Sequence, residues 1–321
     1  MNRYFVIPFF ILLLGVIFIN IIVAADEKYY VDLLKYGTDS DIEKAFTNVN
    51  EDLGYNVNNK VLEIFKEEHA EKVYITLVQY IGIVKLKDAH DVLLVELNRR
   101  GRNDDYRETV IHTIGKLGNS SSIAPLNEVY SKSNTSIRIK KAIVDAYGQI
   151  GDRSIEARLI EIVGDEYEDI EVRARAILAL GEIKSKESIN LLQSLLHNKY
   201  EEKILRMYSA SSLSKIGGEL SLAALAEVIN DETHEVAEYA VNGIAKMETE
   251  KGGEYLINAL RSDYDKVRYY AILGLSEIKY RKAVNILEFK AEYDSNELIR
   301  KEAAKALENI LGTEKKGETI P

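Results

Sequence analysis

The chain has 321 residues, of which 46% are hydrophobic and 29% charged, with a formal net charge of −10. That is enough apolar material for a large core and leaves no compositional signature of disorder. The acidic balance argues against a nucleic-acid partner, because phosphate contacts need a positive field. The absence of cysteine excludes disulfide staples, a thiolate zinc site and a lipid-modified cysteine, and only 3 prolines and 19 glycines favour long runs of helix.

In chain order, the first element is apolar. Arg3 is the only charge before Asp26, the run from Tyr4 to Val23 is uninterrupted by charge, and Val23-Ala24-Ala25 offers small residues where signal peptidase needs them. Residues 1–25 are read as a signal peptide. The alternative is an uncleaved signal anchor, since the run approaches bilayer-spanning length, and it would tether the chain to the inner membrane through residues 4–23. Both place residue 26 onward outside the cytoplasm, so the expected location is exported and periplasmic.

Residues 26–71 are expected to form an N-terminal helical cap of three short, irregular helices. From residue 72 to 311 the chain repeats one phrase, V/I-R-x-x-A-x-x-A-L-G-x-I, as in VRARAILALGEI from Val172 and VRYYAILGLSEI from Val267. Its glycine column falls at Gly82, Gly115, Gly148, Gly181, Ser214, Ala245, Ser276 and Glu308, in four steps of 33 residues and then 31, 31 and 32. A constant period over eight units is the mark of a stacked repeat.

Within the fourth unit, Val172, Ala176, Ile177, Leu180 and Ile183 make one stripe on a helix of 3.6 residues per turn. Ala179 and Gly181 are small where a neighbouring helix must approach closely. A second amphipathic helix follows each first one, and Ser122, Ser154, Ser188 and Ser221 are expected as its N-caps. Residues 312–321 are polar and patternless and are read as a disordered tail.

The phrase resembles the bacterial HEAT-like repeat often called PBS-lyase HEAT-like. The resemblance implies an all-α, HEAT-like α-solenoid of about eight helical repeats. It also implies that the helix beginning V-R lines the concave side. It says nothing about chemistry, and the bilin-attaching activity that gave the repeat its label is not carried over.

Three constellations remain. Arg107, Lys140, Arg173, Arg206, Arg268 and Arg300 share a column eight residues before the glycine. They are read as a structural ladder whose charges pair with acids in the inter-repeat turns, in preference to an anion site. Tyr208, Tyr239 and Tyr270, with Tyr269 beside the last, form a row on consecutive units. Together with Leu178, Met207 and Leu273, and with Ala174, they give the inward face an apolar, aromatic centre with a charged rim, as partner-binding surfaces have; half-buried groove-filling rings are the plainer alternative. The acidic turn GDEYEDIE from Gly164 lacks the order of an EF-hand loop, and the five histidines occur singly, so no metal is expected, nor any cofactor.

No catalytic motif is present. The expected function is a non-enzymatic exported scaffold or adaptor that binds a protein partner on the concave face. The alternatives are a lyase-related enzyme or enzyme accessory subunit, and a membrane-anchored envelope assembly factor.

Overall fold

The computed structural model describes residues 27–312, which contain helices, one-turn 3-10 segments and connecting turns, and no strand. The expectations for residues 1–25 and for 313–321 of the tail lie outside the described residues. Among the described residues no helix is long and apolar enough to cross a membrane. Three helices open the described residues: α1 (27–36), α2 (Asp39–Phe46) and α3 (Tyr55–Ile64).

The first helices of the repeats then follow as α4 (Glu71–Val84), α6 (Asp104–Leu117), α8 (Ile137–Ile150), α10 (Ile170–Glu182), α12 (Lys203–Ile216), α14 (His234–Lys246), α16 (Asp265–Glu277) and α18 (Glu297–Leu311). The second helices are α5 (His90–Leu97), α7 (Ile123–Tyr130), α9 (Glu156–Gly164), α11 (Ile189–His197), α13 (Gly218–Ala226), α15 (Gly253–Ala259) and α17 (Val284–Tyr293). The chain forms two compact units, residues 1–146 and 147–321.

In the N-terminal unit α2 packs on α4, α4 on α6 and α5 on α6, so α2 takes the place of a first helix one repeat earlier. Tyrosine dominates this core. The Tyr80 ring meets Phe46 edge-on at 5.3 Å, and its hydroxyl donates to Asn58 Oδ1 at 2.7 Å while accepting from the Leu53 amide. Burial pushes the Tyr80 phenol up to about 12. Arg102 lies over the rings of both Tyr74 and Tyr106, 4.4 and 4.9 Å from their centroids. The Tyr106 hydroxyl donates to Glu96 Oε2 at 2.6 Å, and Arg99 Nε is 3.2 Å from Glu96 Oε1. A carboxylate only 1% exposed is therefore matched by a cation and a phenol, as a buried charge must be. Burial, and then the hydrogen bond to Glu96, push the Tyr106 phenol far above its usual range.

In the C-terminal unit α10 packs on α12, α12 on α14, α14 on α16 and α16 on α18. The apolar stripe explains this. Val172, Ala176, Ile177 and Leu180 are all buried, and at about 25 cal/mol per Å² such burial is what holds a unit too thin to form a core alone.

The separation of the first helices is set by the small column. A Cβ added at Gly181 would lie 2.9 Å from Ser212 Cα, and one at Gly148 3.3 Å from Ala179 Cα. Farther along, the glycine changes sides. Ser214 now occupies the column and the glycine sits opposite, at Gly243, whose carbonyl accepts from Ser214 Oγ at 2.8 Å. Ala245 faces Gly274 in the same way, with an added Cβ on Gly274 2.9 Å from Ala245 Cα.

The first helix of each complete repeat ends in a left-handed residue three positions beyond that column: Lys85, Gly118, Gly151, Lys184, Gly217, Glu248 and Lys279. Four of the seven are not glycine, although a side chain there costs about 1–2 kcal/mol. The turn that follows corrects one expectation. Ser122, Ser154, Ser188 and Ser221 cap no helix through their side chains: Ser122 and Ser188 make no side-chain cap bond, Ser154 is itself capped by Asp152, and Ser221 lies within α13. A 3-10 turn intervenes before α7 and α9, and its caps are Asn119 and Asp152. Ser122, Ser188 and Ser221 are instead completely buried, where only a small residue fits.

Candidate partner-binding face

The cationic column is occupied by clamps in the C-terminal unit. Arg206 is 3% exposed; its Nε donates to the Leu196 carbonyl at 2.9 Å, at the end of α11, and its NH1 and NH2 both reach Asp231 in the turn before α14. Arg268 grips Asp294 with Nε and NH2, both at 2.9 Å, and also reaches Asp265 and the Ser262 carbonyl. Arg173 Nε donates to the Val163 carbonyl, with Glu201 4.0 Å from NH1. Arg300 donates to the carbonyls of Asp294 and Ser295.

Each of these guanidinium groups fastens the turn preceding its helix, and Arg173, Arg206 and Arg268 also fasten the turn at the far end of their repeat. In the N-terminal unit Arg107 is 3.8 Å from Asp104, and Lys140 lies over the Tyr130 ring at 5.2 Å. Burial of Asp294 works to raise its pKa, but hydrogen bonds from Arg268, the Asn296 amide and Lys290 outweigh it and hold the carboxyl below the usual range.

A second set of links, absent from the sequence reading, runs along the starts of the first helices. Asp39 Oδ2 accepts from the Ala70 amide, Glu71 Oε1 from Asn103 Nδ2, Asp104 Oδ2 from Ser136 Oγ, and Asp265 Oδ2 from Asn296 Nδ2. The first-turn acid of one repeat thus supports the capping residue of the next. The acidic turn after Gly164 is used in the same spirit: Asp165 accepts from the Tyr167 amide, and Asp169 from the amides of Glu171 and Val172. Among the described residues no group of three His, Asp or Glu could hold a metal ion.

The tyrosine row stands clear of these structural duties. Tyr208 on α12, Tyr239 on α14 and Tyr269 and Tyr270 on α16 are half-buried, and the last two rings meet edge-on at 5.5 Å. Burial first, and then the neighbouring Tyr208, Glu238 and Tyr270, raise the Tyr239 phenol above its ordinary value. Leu273 is 38% exposed, whereas Leu178 and Met207 are half-buried. Ala174 is buried, so it is no part of the surface and the apolar centre is correspondingly narrower.

Two depressions adjoin the row. One, of about 340 Å³, lies between α12 and α14 and is lined by Ser211, Lys215, Tyr239, Asn242, Lys246 and Tyr270 among others. The second, of about 470 Å³, runs on between α14 and α16 past Asn242, Lys246, Tyr270 and Leu273. The small residues Ser214, Gly243, Gly274 and Ser276 are among those that line them, and Glu248 and Glu277 border the second. The structure thus brings Tyr239, Tyr270 and Leu273 to these adjoining depressions, whereas Tyr208, Tyr269, Leu178 and Met207 line neither. Lys215 and Lys246 were missed, one position after the glycine column, where the residue type changes from repeat to repeat.

Comparison with known proteins matches residues 156–245 and 253–319 to HEAT repeats, and residues 66–193 to the vitellogenin TPR domain. No curated protein compared with the chain matches it. Among solved structures the chain is similar to human deoxyhypusine hydroxylase in complex with glycerol, at 15% identity and a TM-score of 0.36, covering 85% of this chain and 96% of that one. It is also similar to the CpcE–CpcF complex of phycocyanin lyase from Nostoc, at 13% identity and a TM-score of 0.45, covering 79% and 94%. A third is YibA of Escherichia coli, at 17% identity and a TM-score of 0.47, covering 79% and 96%.

Proposed function

We propose, from the premise that the chain belongs to the HEAT-repeat family, that it is a non-enzymatic scaffold whose first-helix face in the C-terminal unit binds a protein partner. The observation that carries this reading is the tyrosine groove. Its rings are half-exposed, small residues line it, and the arginine clamps of the cationic column are not among its lining residues. Tyrosine gives a large amphipathic contact area at low entropic cost, which is why it is enriched at the centres of interfaces. Export to the periplasm is part of the same proposal and rests on the sequence of residues 1–25.

The test is a photocrosslinking amino acid at position 239 in intact cells, with position 220 on α13 as the control, since Leu220 is 67% exposed on a second helix. Adducts to a protein from 239 and none from 220 are expected. Unchanged adduct yield when Tyr208 and Tyr270 are both replaced by Ala in a folded variant removes the tyrosine groove as the site. Mass spectrometry of the isolated chain reads the export part: an N-terminus at Asp26 is the expected result.

A further inference from the structure

The turns that lead into α10 and α12 each carry a tyrosine with no structural use. Tyr167 and Tyr200 stand three residues before Ile170 and Lys203, where those helices begin, at one column of consecutive repeats. The same local bond shapes both turns: the Tyr167 amide donates to Asp165 Oδ1 at 2.9 Å, and the Tyr200 amide to Asn198 Oδ1 at 3.0 Å. Both rings then project into water. They are 101% and 99% exposed, whereas the next most exposed large side chain, Tyr55, is 74%. Neither ring makes a hydrogen bond or ring contact among the described residues. One exposed ring is ordinary, but the same ring in the same turn of two packed repeats makes a surface. Because α10 packs directly on α12, the turns lie side by side at the spacing of neighbouring helices, about 8–10 Å.

The charge around the rings is one-sided. Residues 165–171 hold Asp165, Glu166, Glu168, Asp169 and Glu171 and no cation. Beside Tyr200, Lys199 and Lys203 are already paired with Glu232 and Glu235 of the following repeat. Glu201 lies 4.0 Å from Arg173. Glu166 and Glu202, by contrast, make no ion pair or side-chain hydrogen bond among the described residues. Each exposed ring therefore has an uncommitted carboxylate within two positions of it.

We propose that this edge of the C-terminal unit binds a basic, extended segment of a protein, with one arginine over Tyr167, another over Tyr200, and their charges met by Glu166 and Glu202. The guanidinium suits both contacts, because its plane stacks on an aromatic face while its edge donates to a carboxylate. Ring spacing sets the register: three residues of extended chain cover about 10 Å, so the arginines recur at every third position. The surface shares no residue with the depressions beside Tyr239 and Tyr270, and the proposal does not depend on the reading of that groove.

The full-length protein is titrated by fluorescence anisotropy with labelled twelve-residue peptides: repeats of Arg-Ala-Ala, Lys-Ala-Ala and Glu-Ala-Ala, and a fourth with the same arginines in two adjacent pairs. The Arg-Ala-Ala peptide is expected to bind about threefold more tightly than the lysine and paired-arginine peptides, and the glutamate peptide not to bind. Tyr167→Ala and Tyr200→Ala are each expected to weaken the Arg-Ala-Ala peptide about two- to fivefold and to close its lead over the lysine peptide. Glu166→Gln and Glu202→Gln are expected to weaken both basic peptides and to flatten their dependence on salt. All four side chains are exposed, so these variants keep the fold, and circular dichroism verifies it. Arginine and lysine peptides that bind alike and lose nothing in either tyrosine variant overturn the proposal, since net charge then accounts for the whole attraction. Equal affinity for the glutamate peptide overturns it as well. Tyr239→Ala is expected to leave the arginine peptide bound as before; a loss there moves the site to the first-helix face and overturns this one.

Discussion

The two units solve one problem, fastening a helix to the turn before it, with different chemistry at the same column. In the C-terminal unit the residue eight before the glycine column is an arginine at four repeats, and its guanidinium donates to the carbonyl of Val163, Leu196, Ser262 or Asp294. In the first repeat of the N-terminal unit the same column holds Tyr74. Its phenol donates to the Glu67 carbonyl at 2.5 Å and accepts from the His69 amide at 3.1 Å. One donor aimed at one turn carbonyl is what the architecture requires; whether it sits on a ring or a guanidinium is left to the neighbours. Where a carboxylate lies within reach, as Asp294 does for Arg268, the guanidinium also holds the next turn, which the phenol of Tyr74 does not.

The contrast is sharpest under mutation. Asp294→Ala leaves Arg268 buried beside no carboxylate in that turn and is expected to cost about 4 kcal/mol, read from the urea midpoint. The pair also sets an acid limit. Because the folded pKa of Asp294 lies below its unfolded value, its stabilisation is complete above that value and is lost as the pH falls through about 4 toward the folded value. Asp294→Ala is expected to flatten the stability profile there, and an unchanged acid slope would refute the assignment.

Gly181→Val tests whether packing rather than charge sets the repeat spacing. With an added Cβ 2.9 Å from Ser212 Cα, a loss of about 3 kcal/mol is expected, whereas Gly164→Ala, with nothing within 4 Å of the added atom, is expected to leave the midpoint unmoved or raise it.

In the N-terminal unit, Tyr106→Phe removes a hydrogen bond from the buried Glu96 and is expected to cost about 2 kcal/mol, with calorimetry as the readout. Tyrosine also gives that unit an alkaline limit. Tyr80 titrates at about 12 in the fold against about 10 unfolded, so its contribution is whole below pH 10 and is lost as the pH rises toward 12. Tyr80→Phe is expected to make that loss shallower. Tyr74→Phe has the smallest effect, about 1 kcal/mol for one neutral hydrogen bond, and a loss as large as that of Asp294→Ala would break the comparison.

What could be read in advance was what recurs at the helical or repeat period. The stripe through Val172 and Leu180, the small column and the tyrosine row are periodic in residue type, so the chain announces them. The left-handed turn is periodic in conformation but not in composition: Lys85, Lys184 and Lys279 occupy positions that a sequence reading would give to glycine. Asp39 caps α4 from a repeat away because Ala70 cannot, and no local pattern signals that reach. Glu96 has the composition of a surface residue and is buried only because Arg99 and Tyr106 converge on it. The caps expected at Ser122 and Ser154 failed because an intervening 3-10 turn moves the capping position upstream, to Asn119 and Asp152. The place of Lys246 beside the tyrosines, unpaired among the described residues, was hidden for a different reason. Whether a lysine is already neutralised depends on the partners that folding brings to it, and nothing in the spelling of Lys246 distinguishes it from Lys266.

The change of side made by the glycine between Gly181 and Gly243 has a consequence for how the gene can be rearranged. Removing the unit that contains both Ser212 and Ser214 would set Gly181 opposite Gly243 and open a void, while duplicating it would set Ser214 against a second Ser212 and crowd the seam. The modules look interchangeable, yet at this junction they must be inherited in order.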